Sequence, residues 1–416
     1  MNSEKSEIGT PSNGRRNVGM LTLAQSGLVA SSVTIVTFGG LFGKDIAPSP
    51  EWATLPISLS IASTALSTPL MSMLMGRVGR KLGFLTGSAC GLTGFGLIIL
   101  ASVTGSFLLF CLGCMALGPF HASGQYYRFA ALESAPIGKS GAAVSTVLMG
   151  SILAAFLVPA LSGPGEGYFS SNPFGGIFVN AAFLIAIALM PIFMLRIPKT
   201  RFTMRDGEDG KSIQSPAQEP PRALLAIAKQ PLYIVALCNA VGAQAMMTFV
   251  MTATPLAMDI YGFERMTAAE VIRAHVLAMY LPGLVSGRLI DRFGAVTMMF
   301  VGQSLFAAAF AVALNGVSEL HFTIALILLG AGWNLCFVGA TTLLTKTYQP
   351  SEASRAQGLN EFCVFGTSAL GSGAAGVVLA QFGWGAVNFS VLAILAGTLI
   401  ATLWYSLFKA TDNQEV

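Results

Sequence analysis

Residues 267–314 read TAAEVIRAHVLAMYLPGLVSGRLIDRFGAVTMMFVGQSLFAAAFAVAL. Two apolar runs, 267–287 and 295–314, flank a short stretch that carries Arg288, Asp291 and Arg292. A helix crosses a bilayer with about 20 predominantly apolar residues, and each run is long enough. Neither run alternates polar and apolar residues as a porin strand does, so both read as helices.

The same unit recurs outward from this pair. Apolar segments occupy 17–42, 52–75, 83–103, 106–130, 141–161 and 175–195, and then 231–258, 267–287, 295–314, 320–344, 357–380 and 386–408. The predicted fold is an all-α integral membrane protein with twelve transmembrane helices. Composition agrees: 54% of the residues are hydrophobic, 10% are charged, and the mean hydropathy is +0.69. Soluble domains carry about 25% charged residues, so a cytosolic enzyme, a nucleic-acid binder and a disordered scaffold are excluded. The net charge of +4 is too small to point to a polyanionic partner.

Basic residues resist translocation and mark the cytoplasmic loops. With the N-terminus inside, 20 of the 23 Lys and Arg fall on the cytoplasmic side, seven of them in residues 196–229. Lys44, Arg265 and Arg273 are left outside. Both termini are therefore expected in the cytoplasm, and the polar start of the chain, with no separate apolar cleavage region, predicts no removable signal peptide. The expected organisation is a tail over 1–16, a six-helix bundle over 17–195, a charged Pro- and Gly-containing linker over 196–229, a second bundle over 230–408, and a tail over 409–416.

An internal repeat supports the division. Arg77 in Gly76-Arg77-Val78-Gly79 and Arg292 in Asp291-Arg292-Phe293-Gly294 lie 215 residues apart, and Pro136 and Pro350 lie 214 apart. Twelve helices, a central loop and Gly287-x-x-x-Asp291-Arg292-x-Gly294 resemble the major facilitator superfamily. The resemblance implies two pseudo-symmetric six-helix bundles latched by Asp291 and Arg292 at the cytoplasmic seam. In the first half Ser72 replaces the motif's first glycine and Gly76 its acid, while Arg77 remains. A narrower likeness rests on Ala53-Thr54-Leu55-Pro56, Tyr127-Arg128-Phe129-Ala130-Ala131, His275-Val276-Leu277-Ala278-Met279, Gly332-Trp333-Asn334 and Gln357-Gly358-Leu359-Asn360-Glu361. These strings are similar to a bacterial branch that includes a riboflavin transporter, which implies a multi-pass protein of the bacterial inner membrane.

In such an architecture helices one, four, seven and ten line a central cavity, and polar groups within them face it or bond to another helix. Gln25, His121, Gln125, Asn239, Gln244, Asn334 and Thr341 are the candidates for substrate contact, Asn239 being the repeat mate of Gln25, 214 residues on. Trp333 lies mid-helix, whereas Trp52, Trp384 and Trp404 fall near helix ends, where indoles anchor at the interface. Beside Asn334, Trp333 reads either as a stacking plate for a planar ligand or as a core residue packed on helix eleven. Arg77, Arg128, Glu133, His275, Asp291, Arg292, Arg355 and Glu361 are the candidates for gating or coupling. Gly83, Gly87 and Gly91, four apart, mark either a sliding or a static helix contact.

The leading reading is a secondary transporter, working as a monomer in the lipid bilayer, that moves a small organic solute by alternating access; the resemblance and the amide-rich lining imply uptake of riboflavin or a similar planar heterocycle. The alternative is a proton-coupled drug or metabolite efflux pump. Against it, Cys114 stands where the antiporter pattern has an arginine, and Val158-Pro159 replaces Gly-Pro. Cys111-x-x-Cys114 has only His121 as a further ligand type on its helix and reads as packing, with no metal or cofactor expected. No nucleophile and base, paired acids or P-loop speak for an enzyme or an ATP-driven pump.

Overall fold

The computed structural model describes residues 11–134, 140–169, 172–196, 222–349 and 352–412. Among them, eleven helical stretches are long and apolar enough to cross a membrane. We number them α1 (Gly14–Ile46), α2 (Pro50–Val78), α3 (Arg80–Thr104), α4 (Phe107–Ala131), α5 (Thr146–Gly165), α6 (Pro173–Met194), α7 (Pro231–Ile260), α8 (Arg265–Phe293), α9 (Ala295–Asn315) and α10 (Glu319–Leu344). The last stretch, Arg355–Leu407, turns at Gly383, whose φ of 78° lies in the left-handed region, and so forms α11 (355–382) and α12 (384–407). One glycine does the work of a loop here because it lacks the Cβ that would clash at that φ.

The repeat inferred from sequence is visible in backbone conformation. Gly79 ends α2 at φ 91° and ψ 157°, and Gly294 ends α8 at φ 85° and ψ 149°. The same turn thus closes the same helix pair in each half. Within the first half, α3 packs on α4 through glycines: a Cβ on Gly87 would sit 2.2 Å from Ser123 Oγ, and one on Gly91 2.8 Å from Phe120 Cγ. Gly83 faces Met75 of α2. All three contacts lie inside one half, so this glycine row serves static packing, and no sliding seam runs along it.

Not every helix is continuous. A π-helical turn at Ile35–Gly39 redirects α1, so that its end meets α7, where a Cβ on Gly40 would touch Leu256 at 3.5 Å. The helix α8 is interrupted at Leu281-Pro282, and α4 at Gln125-Tyr126. Trp384 corrects an expectation. It is 3% exposed, donates Nε1–H to the Ala313 carbonyl at 3.2 Å and packs on Phe322, because the Gly383 turn directs it inward. Trp52 and Trp404 remain exposed.

Most of the expected linker, 197–221, lies outside the described residues. Where the chain resumes, Arg222 is tied to the second half. Its backbone N–H and Nε–H donate to Glu352 Oε1 at 2.8 and 2.9 Å, and Nη2–H donates to Oε2 at 2.7 Å. The Gln349 N–H completes the set on Oε2 at 2.9 Å. Glu352 lies in the connection between α10 and α11, and its side chain is 1% exposed. The Arg222 guanidinium, seconded by the Gln349 amide, holds this carboxyl down to about 2 from an ordinary 4.5.

A carboxyl whose folded value is depressed stabilises the fold above its unfolded value and loses that contribution as pH falls through the folded value. Glu352→Gln is therefore expected to lower the thermal midpoint in detergent at neutral pH, with the gap from wild type closing as pH falls from 4.5 towards about 2. Identical midpoints at neutral pH would refute the clamp.

Candidate functional site: a cavity between the two halves

A cavity of about 740 Å³ lies between the halves. Helices α1, α4 and α5 form most of one wall, and α7, α8, α10 and α11 the other. At the end of the bundle away from the chain termini the halves are joined by direct bonds. Lys44 pairs with Asp259 at 2.5 Å and Arg265 with Glu166 at 3.0 Å. Ser58 Oγ–H donates to the Ala369 carbonyl at 2.6 Å, and Thr54 Oγ1 both donates to Gly373 O at 3.3 Å and accepts from Gly376 N–H at 3.2 Å. At the opposite, terminal face the lining runs out to Thr345, at the end of α10.

Seven of the eight residues expected to contact substrate converge on this cavity: Gln25, His121, Gln125, Gln244, Trp333, Asn334 and Thr341. Six of them are held by a neighbour. Gln25 Nε2–H donates to Ser151 Oγ at 3.3 Å, and His121 Nε2 sits 3.1 Å from Ser31 Oγ and 3.3 Å from Ser32 Oγ. Trp333 Nε1–H donates to Gln244 Oε1 at 2.8 Å, while Gln244 Nε2–H donates to Thr248 Oγ1 at 3.3 Å. One indole face is stacked on Phe337, with centroids 4.9 Å apart and planes at 16°, and Tyr280 meets the ring edge-on. Trp333 is thus a fixed plate with its polar edge already committed. Thr341 Oγ1–H turns back to the Phe337 carbonyl.

Asn334 does something the sequence did not disclose. Its Nδ2–H donates to the Met279 carbonyl at 2.8 Å, beside the interruption of α8 at Leu281-Pro282, and its Oδ1 is buried with no partner among the described residues. The amide braces a broken helix, because a backbone carbonyl near such a break needs a donor in a dry environment.

Asn239 is the exception. It is 1% exposed and lies away from the cavity, where it donates to Thr402 Oγ1 at 2.9 Å and accepts from Gln303 Nε2–H at 2.8 Å. The repeat that relates it to Gln25 preserves helix position but not surroundings, and α9 and α12 supply the polar partners that draw it inward.

The gating candidates separate in the same way. Arg128 and Glu361 line the cavity. His275 does not: it is fully buried between α8 and α10, with Nδ1 2.7 Å from the Leu326 carbonyl. Arg77, Asp291, Arg292 and Arg355 are exposed at the terminal face and make no ion pair among the described residues. The latch expected of Asp291 and Arg292 is therefore not formed here, since the halves are parted at this end. The side chain of Glu133 lies outside the described residues.

Sequence reasoning missed Tyr280, Phe337 and Ser151. Phe337 follows Trp333 by four residues, a spacing that stacks side chains on one helix face and would have flagged it. Ser151 and Tyr280 carry no such signal, because their roles come from α5 and α8 meeting across the cavity.

This geometry, an all-helical membrane bundle with a small-molecule-sized, mainly apolar cavity that carries polar groups between two repeated halves, can be set beside known proteins. The pattern of the Major Facilitator Superfamily matches residues 247–415. The riboflavin transporter RfnT of Brucella anthropi is 37% identical over 93% of this chain and 94% of its own length. The uncharacterized MFS-type transporter YddS of Bacillus subtilis is 28% identical over 89% of this chain and 86% of its own. Among solved structures, the nucleoside transporter NupG shares the fold with a TM-score of 0.67 at 15% identity, covering 95% of this chain and 98% of NupG. The chain belongs to the major facilitator superfamily, and it is a multi-pass membrane transporter of small molecules and not an enzyme.

Proposed function

We propose that this chain takes up riboflavin, or a similar planar and uncharged heterocycle, by alternating access. The observation that carries the substrate is the 37% identity to a riboflavin transporter along nearly the whole chain. The cavity supports it. Its volume of about 740 Å³ falls within the roughly 300–1,000 Å³ usual for pockets that take small organic ligands. Trp333 lines the cavity and offers it an aromatic surface, and Gln125, Gln244, Gln25, His121 and Thr341 present hydrogen-bonding groups around it. Asn334 contributes by bracing α8 beside the plate. The halves rock about this site, the bonds of Lys44, Arg265, Thr54 and Ser58 opening as Asp291 and Arg292 close at the other end. The bundles are 17–195 and 230–408, and the site is complete within one chain, so a monomer is the functional unit.

The terminal face is assigned to the cytoplasm of the bacterial inner membrane on the distribution of basic residues. The supporting bias is 20 of 23 Lys and Arg on that side.

Riboflavin uptake is tested in a riboflavin auxotroph at low vitamin concentration, where expression of the chain is expected to restore growth; no rescue at verified expression rejects the substrate. Removing an aromatic contact, worth about 0.5–1.5 kcal/mol beyond its buried area, should make Trp333→Ala transport with a KM raised about tenfold. Gln244→Leu leaves the indole N–H without its partner, and a loss of similar size is expected, since an unpaired buried donor costs about 1–3 kcal/mol. Unchanged KM in both variants moves the ligand away from this plate. For orientation, Ser215→Cys and Val317→Cys in a cysteine-free background should differ: an impermeant reagent added outside labels only the second. Labelling of Ser215→Cys from outside reverses the topology.

A further inference from the structure

The two walls of the cavity differ in chemistry. Its phenyl, phenol and indole rings, Tyr280, Trp333, Phe337 and Phe365, all belong to the second half. Polar groups beside them are bonded within that half: Trp333 to Gln244, Gln244 to Thr248, Asn334 to Met279 and Thr341 to Phe337. What this wall offers a ligand is chiefly aromatic surface, with Phe337 stacked behind Trp333 and Tyr280 edge-on to it.

The first half presents the reverse. Among the described residues its wall carries aliphatic side chains and, apart from the His121 imidazole, no aromatic ring. Gln25 and Ser32 of α1 and His121 and Gln125 of α4 line it together. On each helix the two residues are whole turns apart, so the four form a strip along the helix axes. Much of their bonding capacity is unused among the described residues. Gln25 bonds through Nε2 alone, to Ser151, His121 through Nε2 alone, to Ser31 and Ser32, and the Gln125 side chain has no hydrogen bond. Amides and hydroxyls both donate and accept, as each hydroxyl of a polyol does.

A flat ring gains most on the aromatic wall. A flexible hydroxylated chain needs a partner for each group it buries, and only the strip holds several in a row. We propose that the two walls read two parts of one substrate: a heterocyclic ring lies on the second half at Trp333, and an uncharged polyol tail runs along the Gln25, Ser32, His121 and Gln125 strip of the first. The inference rests on the uptake reading above, since riboflavin is such a conjugate, and adds which half recognises which part.

A consequence follows for transport. A ligand shifts a conformational equilibrium only by binding its states unequally. A ring without a tail engages the second half alone and has nothing with which to draw the first towards it. Only the intact conjugate links the halves, so a tailless ring binds without being carried.

The test compares riboflavin with lumiflavin, the same ring bearing a methyl group in place of the polyol chain. Binding is read by equilibrium dialysis on the purified full chain, and transport as counterflow into proteoliposomes loaded with riboflavin. The wild type should bind riboflavin at least about tenfold more tightly than lumiflavin, and should exchange riboflavin only. His121→Leu combined with Gln125→Leu should bring riboflavin binding down to the lumiflavin level and leave lumiflavin binding unchanged, which also shows that the variant is folded. Ser32→Ala, a smaller change, should weaken riboflavin alone, whereas Trp333→Ala should weaken both flavins by the same factor. Equal binding and exchange of the two flavins by the wild type overturns the division between the walls and leaves the uptake reading standing. So does a Ser32→Ala variant that weakens both flavins equally or neither. No riboflavin binding or exchange by the wild type overturns the riboflavin reading and this inference with it.

Discussion

Hydrocarbon offers no hydrogen bonds, so each polar group that enters the bilayer must find its partner inside the protein. Much of this structure follows from that constraint. Among the described residues the helices satisfy their own backbones, and at the break in α8 a side chain steps in. Beside the interruption at Leu281-Pro282, the Met279 carbonyl takes the Asn334 amide. The same rule gathers Asn239, Gln303 and Thr402 into one buried set between α7, α9 and α12, and it ties His275 to a carbonyl of α10.

Several residues of the distinctive sequence strings make such bonds or pack beside them. Thr54 joins α2 to α11 across the seam. Tyr127 packs edge-on against Phe84 and leaves its neighbour Arg128 to face the cavity. His275 to Met279 and Gly332 to Asn334, distant in sequence, meet as the two sides of the α8–α10 contact, where Gly330 also gives α10 close access to the His275 carbonyl at 2.7 Å from its would-be Cβ. The strings around Thr54, His275 and Asn334 mark places where two helices exchange a hydrogen bond or approach too closely for a larger residue.

The two ends of the seam differ in physical character. The far end is fastened by ion pairs and by serine and threonine hydroxyls that reach backbone carbonyls of the other half. Such contacts are individually weak, about 1 kcal/mol or less for exposed pairs, and can be exchanged without unfolding either bundle. The bundles themselves are held by glycine-mediated packing, as at Gly87 and Gly91, which is specific in shape and not readily exchanged. A molecule built this way moves between its halves and stays rigid within them.

The sequence by itself determined the crossings, the repeat and seven residues that line the cavity out of eight expected there, because apolar length, charge bias and helical spacing are local properties that survive any arrangement of the helices. Gln244, Thr248 and Thr252 share a face by spacing alone, and the cavity lies on that face. What only the tertiary structure decided were the partners. Asn239 and Gln25 are mates in the repeat, yet one is buried by α9 and α12 and the other lines the cavity, since repeat position says nothing about which foreign helix lies opposite. Trp384 sits near a helix end like Trp52, but a single glycine at positive φ turned it into the core. The placement of Arg128 and Glu361 on facing walls was equally beyond sequence reading: they lie in different halves, and only the packing of those halves sets two such charges before the same cavity.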